Sequence, residues 1–274
     1  MTTFTATDGT VLHYTDEGQG RPLVLVHGWP LSGEAFARNI TTFVGAGYRV
    51  ITYDRRGFGQ SGKPADGYDY DTLADDLKAL LEHLDLREAV LLGFSMGGGE
   101  VARYLSAHGD ERVAGAIFSG SITPALCITD DNPDGAMPFD GFQGMADQCR
   151  DDRDNFLEQF VGWFYSTEAG GLQVDEATKA RALAIAQQSD PKAAVETILI
   201  WADDLRDDCR AITVPTLVIH GDGDINVPLA KSSARMGEFV QNSELVVIEG
   251  GPHGANDSHH GEWERAILDF MASL

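Results

Sequence analysis

The order of apolar runs along this chain predicts an α/β fold. A mostly parallel eight-stranded sheet is flanked by helices, and a helical cap is inserted between strands 6 and 7. Three observations carry the prediction. Short apolar runs alternate with stretches of helical spacing through residues 22–118. The alternation stops from about residue 121 to 210 and then resumes. A Gly-x-Ser-x-Gly turn at Ser95 joins an apolar run to the start of a helix.

Each element has its own signature. Residues 11–15 read as an early strand. Residues 22–26, Pro-Leu-Val-Leu-Val, are continuously apolar, as a strand buried on both faces must be. A helical stretch covers about 32–45, and strand 49–54 follows. Leu73, Leu77, Leu80, Leu81 and Leu84 recur at helical spacing within 70–84. Strand 89–94 runs into Ser95 and another helix, and 113–118 is the next strand. No strand is read between 121 and 210, where 155–165, 175–188 and 191–205 read as helices. Strands 216–220 and 244–248 and a final helix over 261–271 complete the pattern. The division is therefore 1–121 and 211–274 for the core and 122–210 for the cap. A helical insertion between two strands of one sheet is expected to serve as a lid.

Charge and composition narrow the function. The formal net charge is −23, from 43 acidic and 20 basic residues, so a phosphate backbone or an anionic membrane surface would be repelled. No apolar run is long enough to cross a bilayer, and Met1 to Phe4 lacks the basic, apolar start of a secretory signal. A cytoplasmic location is the expectation. Cys127, Cys149 and Cys209 are widely spaced and form no CxxC pair, which suits idle thiols in a reducing compartment.

Gly93-Phe94-Ser95-Met96-Gly97 marks Ser95 as a nucleophile. The apolar residues Val90-Leu91-Leu92 precede it, and a helix opens behind it. Such a turn needs neighbours without bulk, and the helix N-terminus turns N–H groups toward developing negative charge. A neutral serine also needs a base. In this arrangement the chain order is Ser, acid, His, which removes His13, His27 and His83. His220 precedes the candidate acids. His253 follows the last strand in Glu-Gly-Gly-Pro-His-Gly, at the end of the sheet where Ser95 sits, whereas His259 and His260 begin the last helix. Asp222 and Asp224 both follow strand 216–220. Asp224 is favoured because it lies further out, and Asp222 can close the turn. The oxyanion donors are expected to be the N–H groups of Met96 and Trp29, since Pro30 has none. A histidine base works only when neutral, and imidazoles titrate at about 6.5. Initial rates measured against pH should therefore fall below about pH 7; a flat profile down to about pH 4 would contradict the base.

At these residues the chain resembles the cofactor-free haloperoxidases of the α/β-hydrolase superfamily, a group also described as perhydrolases and aryl esterases. The resemblance is carried by His27-Gly28-Trp29-Pro30-Leu31, by the segment from Tyr53 to Ser61, by Gly67-Tyr68-Asp69-Tyr70-Asp71 and by Ser95-Met96-Gly97-Gly98-Gly99-Glu100. Asp131-Asn132-Pro133-Asp134-Gly135, Pro215 to Pro228 and Glu249 to Gly254 extend it. It implies the α/β-hydrolase fold, a triad of Ser95, Asp224 and His253, and oxyanion donors at Trp29 and Met96. It also implies acyl-enzyme chemistry on small carboxylic esters, with aryl esters, lactones and lactams within range. Hydrogen peroxide in place of water would give a peracid, which oxidises halide. The chain departs from the group at Phe94, where many relatives carry His, and through 149–186 of the cap.

No CxxCH and no metal-ligand cluster is visible, so neither cofactor nor metal is expected. The expected partners are a small acyl substrate, with hydrogen peroxide or a short carboxylic acid as second reactant; homo-oligomerisation stays open. Pro30, Phe94, Phe160, Trp163, Phe164 and Trp201 are the candidate pocket residues, although aromatic residues in a cap also serve its packing. An epoxide hydrolase or haloalkane dehalogenase would need a carboxylate where Ser95 stands. A non-catalytic ligand receptor with an intact triad is the rival of another class, and turnover of a simple aryl ester separates the two. Pro30 suggests a bias in the chemistry. It constrains the Trp29–Pro30 segment, and a carbonyl turned inward there would accept a hydrogen bond from the far O–H of hydrogen peroxide.

Overall fold

The computed structural model describes residues 2–274; Met1, part of the N-terminal reading above, lies outside the described residues. The strands are β1 (Thr2–Thr5), β2 (Val11–Gly18), β3 (Pro22–Val26), β4 (Arg49–Tyr53), β5 (Ala89–Phe94), β6 (Val113–Ser119), β7 (Ser166–Thr167), β8 (Gly171–Leu172), β9 (Thr216–Gly221) and β10 (Ser243–Ile248). Eight of them form one sheet in the order β1-β2-β4-β3-β5-β6-β9-β10. β1 and β2 pair antiparallel, as do β2 and β4, and the other pairs are parallel. The fold is that of an α/β hydrolase.

Alternation along the strands explains why they are apolar throughout. Leu23 and Leu25 of β3, Val90 and Leu92 of β5 and Leu217 and Ile219 of β9 pack on one face. Val24 and Val26, Leu91, and Val218 pack on the other. Successive side chains of a strand point to opposite faces, so a strand covered on both sides must be apolar at every position. Fully burying each such side chain contributes about 1.5–3 kcal/mol.

The core helices are α1 (Ala37–Gly45), α2 (Tyr70–His83), α3 (Met96–His108), α9 (Ala255–Ser258) and α10 (His260–Ser273). Leu77, Leu80 and Leu81 of α2 join Val101, Ala102 and Leu105 of α3 on one face of the sheet. Phe43 of α1 joins Trp263, Ile267 and Met271 of α10 on the other. Asp69 starts α2 by accepting the Thr72 N–H, and so satisfies one of the free donors of the first turn.

Between β6 and β9 lie α4 (Phe139–Asp151), α5 (Arg153–Phe164), α6 (Glu176–Ala186), α7 (Pro191–Leu199) and α8 (Arg206–Arg210). Asp175 and Asp190 cap α6 and α7, and Pro191 begins α7, where a missing N–H costs nothing. Several features depart from the sequence reading, the short helices α8 and α9 among them. β1 is an additional edge strand, β7 and β8 form a hairpin in a stretch read as strandless, and α4 was not anticipated. The two-residue strands β7 and β8 leave too short a pattern to read. α4 carries Gly141 and Gly144, which weaken helix propensity, yet Phe142, Met145, Ala146 and Cys149 keep helical spacing. That spacing was the available signal.

Candidate active site

β5 ends at Phe94 and α3 begins at Met96, so Ser95 makes the whole turn between them. Its backbone sits at φ 54° and ψ −120°, a conformation costing on the order of 1–3 kcal/mol for a residue with a side chain. Tight packing holds it. A Cβ at Gly93 would lie 2.5 Å from the Gly97 carbonyl oxygen, and a Cβ at Gly97 would lie 2.5 Å from that of Val26. Neither position admits a larger residue without moving backbone. The consequence is a serine presented at the carboxyl ends of the parallel strands.

The loops after β9 and β10 bring two more groups to that edge. Ser95 Oγ lies 2.9 Å from His253 Nε2, and His253 Nδ1 lies 2.6 Å from Asp224 Oδ2. All three residues are buried. Asp224 Oδ1 accepts the N–H groups of Asn226 and Val227, at 2.9 and 2.8 Å. Burial alone would raise the Asp224 carboxyl, but His253 and His220 beside it hold it well below the usual carboxylate range. It is therefore the ionised partner of the His253 ring. Asp222 is exposed and accepts the Gly250 N–H at 2.7 Å, tying together the two loops that carry Asp224 and His253.

Sequence reasoning set His220 aside, yet it touches the same carboxylate. Its Nε2 lies 2.8 Å from the Val227 carbonyl oxygen and 3.1 Å from Asp224 Oδ2. Both are acceptors, so Nε2 carries the proton, and Nδ1 accepts from the Ser233 hydroxyl at 2.7 Å. The available signal was a histidine directly after the apolar run Thr-Leu-Val-Ile, still within β9. The His253 ring is also clamped by carbon: Phe94 lies 5.1 Å away between centroids, and Phe164 5.0 Å away and edge-on.

Trp29 and Met96 flank the nucleophile. A Cβ at Gly28 would lie 2.9 Å from the Ser95 Cβ, so the loop after β3 passes directly against Ser95. Among the described residues, neither the Trp29 nor the Met96 backbone N–H donates to another group. The Trp29 indole is engaged elsewhere: its Nε1 donates to the Ala194 carbonyl of α7 at 3.0 Å, and its ring packs 4.7 Å from Phe160 and 5.1 Å from Trp201.

A buried ion pair supports the same loop. Arg55 Nε donates to Glu100 Oε2 at 2.7 Å with both side chains fully buried, and Arg55 Nη2 donates to the His27 carbonyl oxygen. Burial pushes the Glu100 carboxyl well up and lowers Arg55 to about 10. Glu100→Leu leaves the guanidinium buried without its partner and should cost about 3–5 kcal/mol in denaturant unfolding. The Arg55→Met/Glu100→Leu double variant should recover most of that. A single variant as stable as the parent would show that the pair contributes nothing.

A cavity of about 330 Å³ opens on Ser95 and His253, and its walls are chiefly apolar. Of the six candidate pocket residues, Phe160, Trp163 and Trp201 line it. Pro30, Phe94 and Phe164 do not, and the sequence reading is corrected there. Phe94 and Phe164 are taken up by the His253 ring, and Pro30 is buried in the turn closed by the Leu31 N–H on the Gly28 carbonyl. Lining residues not anticipated include Met137, Phe142 and Met145 around α4, and Ile225, Asn226 and Val227 after Asp224. No group of three or more His, Cys, Asp or Glu side chains is placed to hold a metal ion, and no helix is long and apolar enough to cross a membrane, among the described residues.

Comparison with known proteins bears on the whole chain. Residues 21–259 match the model of a family described as alpha/beta hydrolase fold. A putative non-heme chloroperoxidase of Synechocystis is 42% identical over 95% of this chain and 94% of its own. A bifunctional esterase/perhydrolase of Acinetobacter calcoaceticus is 33% identical over 98% of this chain and 99% of its own. The crystal structure of a bromoperoxidase from Bacillus anthracis superposes with a TM-score of 0.95 at 40% identity, covering 99% of this chain and 100% of that one.

Proposed function

This chain belongs to the alpha/beta hydrolase family, and we propose that it is a serine hydrolase of small carboxylic esters that also transfers acyl groups to hydrogen peroxide. The observation that carries the reading is the chain of hydrogen bonds from Ser95 through His253 to Asp224, set at the mouth of an apolar cavity. The non-heme chloroperoxidase and esterase/perhydrolase relatives support it.

The chemistry follows from the geometry. His253 Nε2 takes the Ser95 proton as Oγ attacks the ester carbonyl. The N–H groups of Met96 and Trp29 stabilise the oxyanion, each worth about 3 kcal/mol in related chemistry. Asp224 accepts the Nδ1 proton of His253, fixing the tautomer and stabilising the imidazolium without taking the proton. Collapse breaks the ester C–O bond, and His253 returns the proton to the departing alkoxide. Water, with its proton passing to His253, then attacks the acyl carbon; the bond to Ser95 Oγ breaks, His253 returns the proton to Oγ and a carboxylic acid leaves, while hydrogen peroxide by the same route releases a peracid.

Residues 122–210 serve as the cap over this site and residues 1–121 and 211–274 as the core. The contact of Trp29 with Ala194 and that of the Gly254 N–H with the Phe164 carbonyl hold cap and core together beside the site. A location in the cytoplasm accords with the buried free cysteines.

Rates on a panel of aryl esters, lactones and lactams, with and without hydrogen peroxide, test the reading. Turnover of none of them would leave a ligand receptor. Pro30 carries a narrower expectation. Among the described residues, neither the Trp29 nor the Pro30 carbonyl accepts a hydrogen bond, and the reading requires one of them to reach peroxide from outside the cavity lining. Pro30→Leu should change the ratio of peracid formation to ester hydrolysis several-fold, the worth of one hydrogen bond of about 1 kcal/mol. An unchanged ratio would leave Pro30 a structural residue.

A further inference from the structure

The cavity on Ser95 is walled by carbon almost throughout, and no Asp, Glu, Lys or Arg side chain lines it. One carboxamide interrupts the wall. Asn226 lines the cavity two residues beyond Asp224, and its backbone N–H is committed to that carboxylate at 2.9 Å. Its side chain has no such commitment. Both Oδ1 and Nδ2 are buried with almost no accessible surface, and neither has a hydrogen-bond partner among the described residues, so a ligand meets them once the carboxamide turns into the cavity. Trp201, 8% exposed and on the same cavity, has a buried indole N–H that is likewise unpartnered.

Leaving buried polar groups unpaired is unfavourable, and the same wall built of apolar residues would carry no such cost. A ligand that supplies the missing partners removes the cost, so the site discriminates against isosteres lacking them. A carboxamide offers one acceptor and two donors, and its natural complement is a group with both functions, such as a secondary amide. The absence of charged neighbours favours a neutral group over a carboxylate or an ammonium. Building on the serine-hydrolase reading, we propose that Asn226, assisted by Trp201, selects esters bearing a secondary amide or an equivalent neutral donor–acceptor group on one arm.

The test compares matched esters in the full-length protein. Phenyl N-acetylglycinate against phenyl pentanoate places the amide on the acyl arm. 2-Acetamidoethyl butyrate against pentyl butyrate places it on the alcohol arm. The ratio of kcat/KM within each pair is measured for wild type and Asn226→Leu, which cancels the intrinsic reactivity of the esters. The substitution keeps the size of the side chain and the backbone bond to Asp224. The ratio should fall about five- to thirtyfold in at least one pair. Trp201→Phe keeps a ring in the wall and removes its N–H, so it should lower the same ratio about two- to tenfold, and it reads the proposal even if Asn226→Leu does not fold. Unchanged ratios in both pairs would overturn the assignment. Ser95→Ala run beside them separates the two levels. Turnover that persists without Ser95 faults the nucleophile, whereas Ser95-dependent turnover with unchanged ratios faults Asn226 alone.

Discussion

Ser95→Ala is expected to lower ester turnover by about ten-thousand-fold or more while leaving the fold intact. Alanine keeps the Cβ and therefore the same backbone constraint, so the strained turn between β5 and α3 should survive. What disappears is the Oγ that lies 2.9 Å from His253 Nε2. Activity should not vanish entirely, because the Met96 and Trp29 donors and the cavity still favour attack by water. A serine-directed aryl phosphonate should label the wild type with one equivalent, and peptide mapping should find it on Ser95. Label on another residue, or an alanine variant with substantial activity, would sink the assignment of the nucleophile.

The position of Ser95 was legible because the requirement is local. An apolar strand, a turn of small residues and a helix start lie within a dozen positions, and their order alone forces the serine to the end of the sheet. His253 was legible for a similar reason: a Gly-rich loop after the last strand emerges at the same edge. The acid was harder. Asp222 and Asp224 share one loop, and only the path of the chain through Gly223 separates an exposed loop clamp from a buried partner of His253.

The cap resisted sequence reading because its aromatic residues answer to long-range contacts. Phe160, Trp163 and Phe164 lie on one side of α5, three and four residues apart. Phe160 and Trp163 reach the cavity, but Phe164 packs edge-on against His253. Helical spacing places the three together and cannot say which neighbour each meets. Asn226 illustrates the converse. It stands in the loop after β9, and the apolar wall it interrupts comes from segments far apart in the chain.

Asp224→Asn should cost about ten-thousand-fold in turnover, while Asp222→Asn should cost less than about tenfold. The two substitutions are chemically identical and lie two residues apart, so their difference isolates geometry. Asp224 uses four acceptor sites: two backbone N–H groups on Oδ1, and the ring N–H groups of His253 and His220 on Oδ2. An asparagine whose oxygen keeps the two backbone bonds must turn its NH2 toward both histidines. Donors would then face donors. His253 can relieve the conflict by moving its proton to Nε2, where it would point at Ser95 and could no longer accept the hydroxyl proton. The fold would persist and the base would be lost. Asp222→Asn meets no such conflict, because its one bond is accepted from the Gly250 N–H and an amide oxygen accepts it nearly as well. Measuring kcat for both variants, with thermal unfolding to confirm that each is folded, decides between the two residues. The reverse ranking would transfer the role to Asp222, and equal small effects would mean that His253 needs no carboxylate partner.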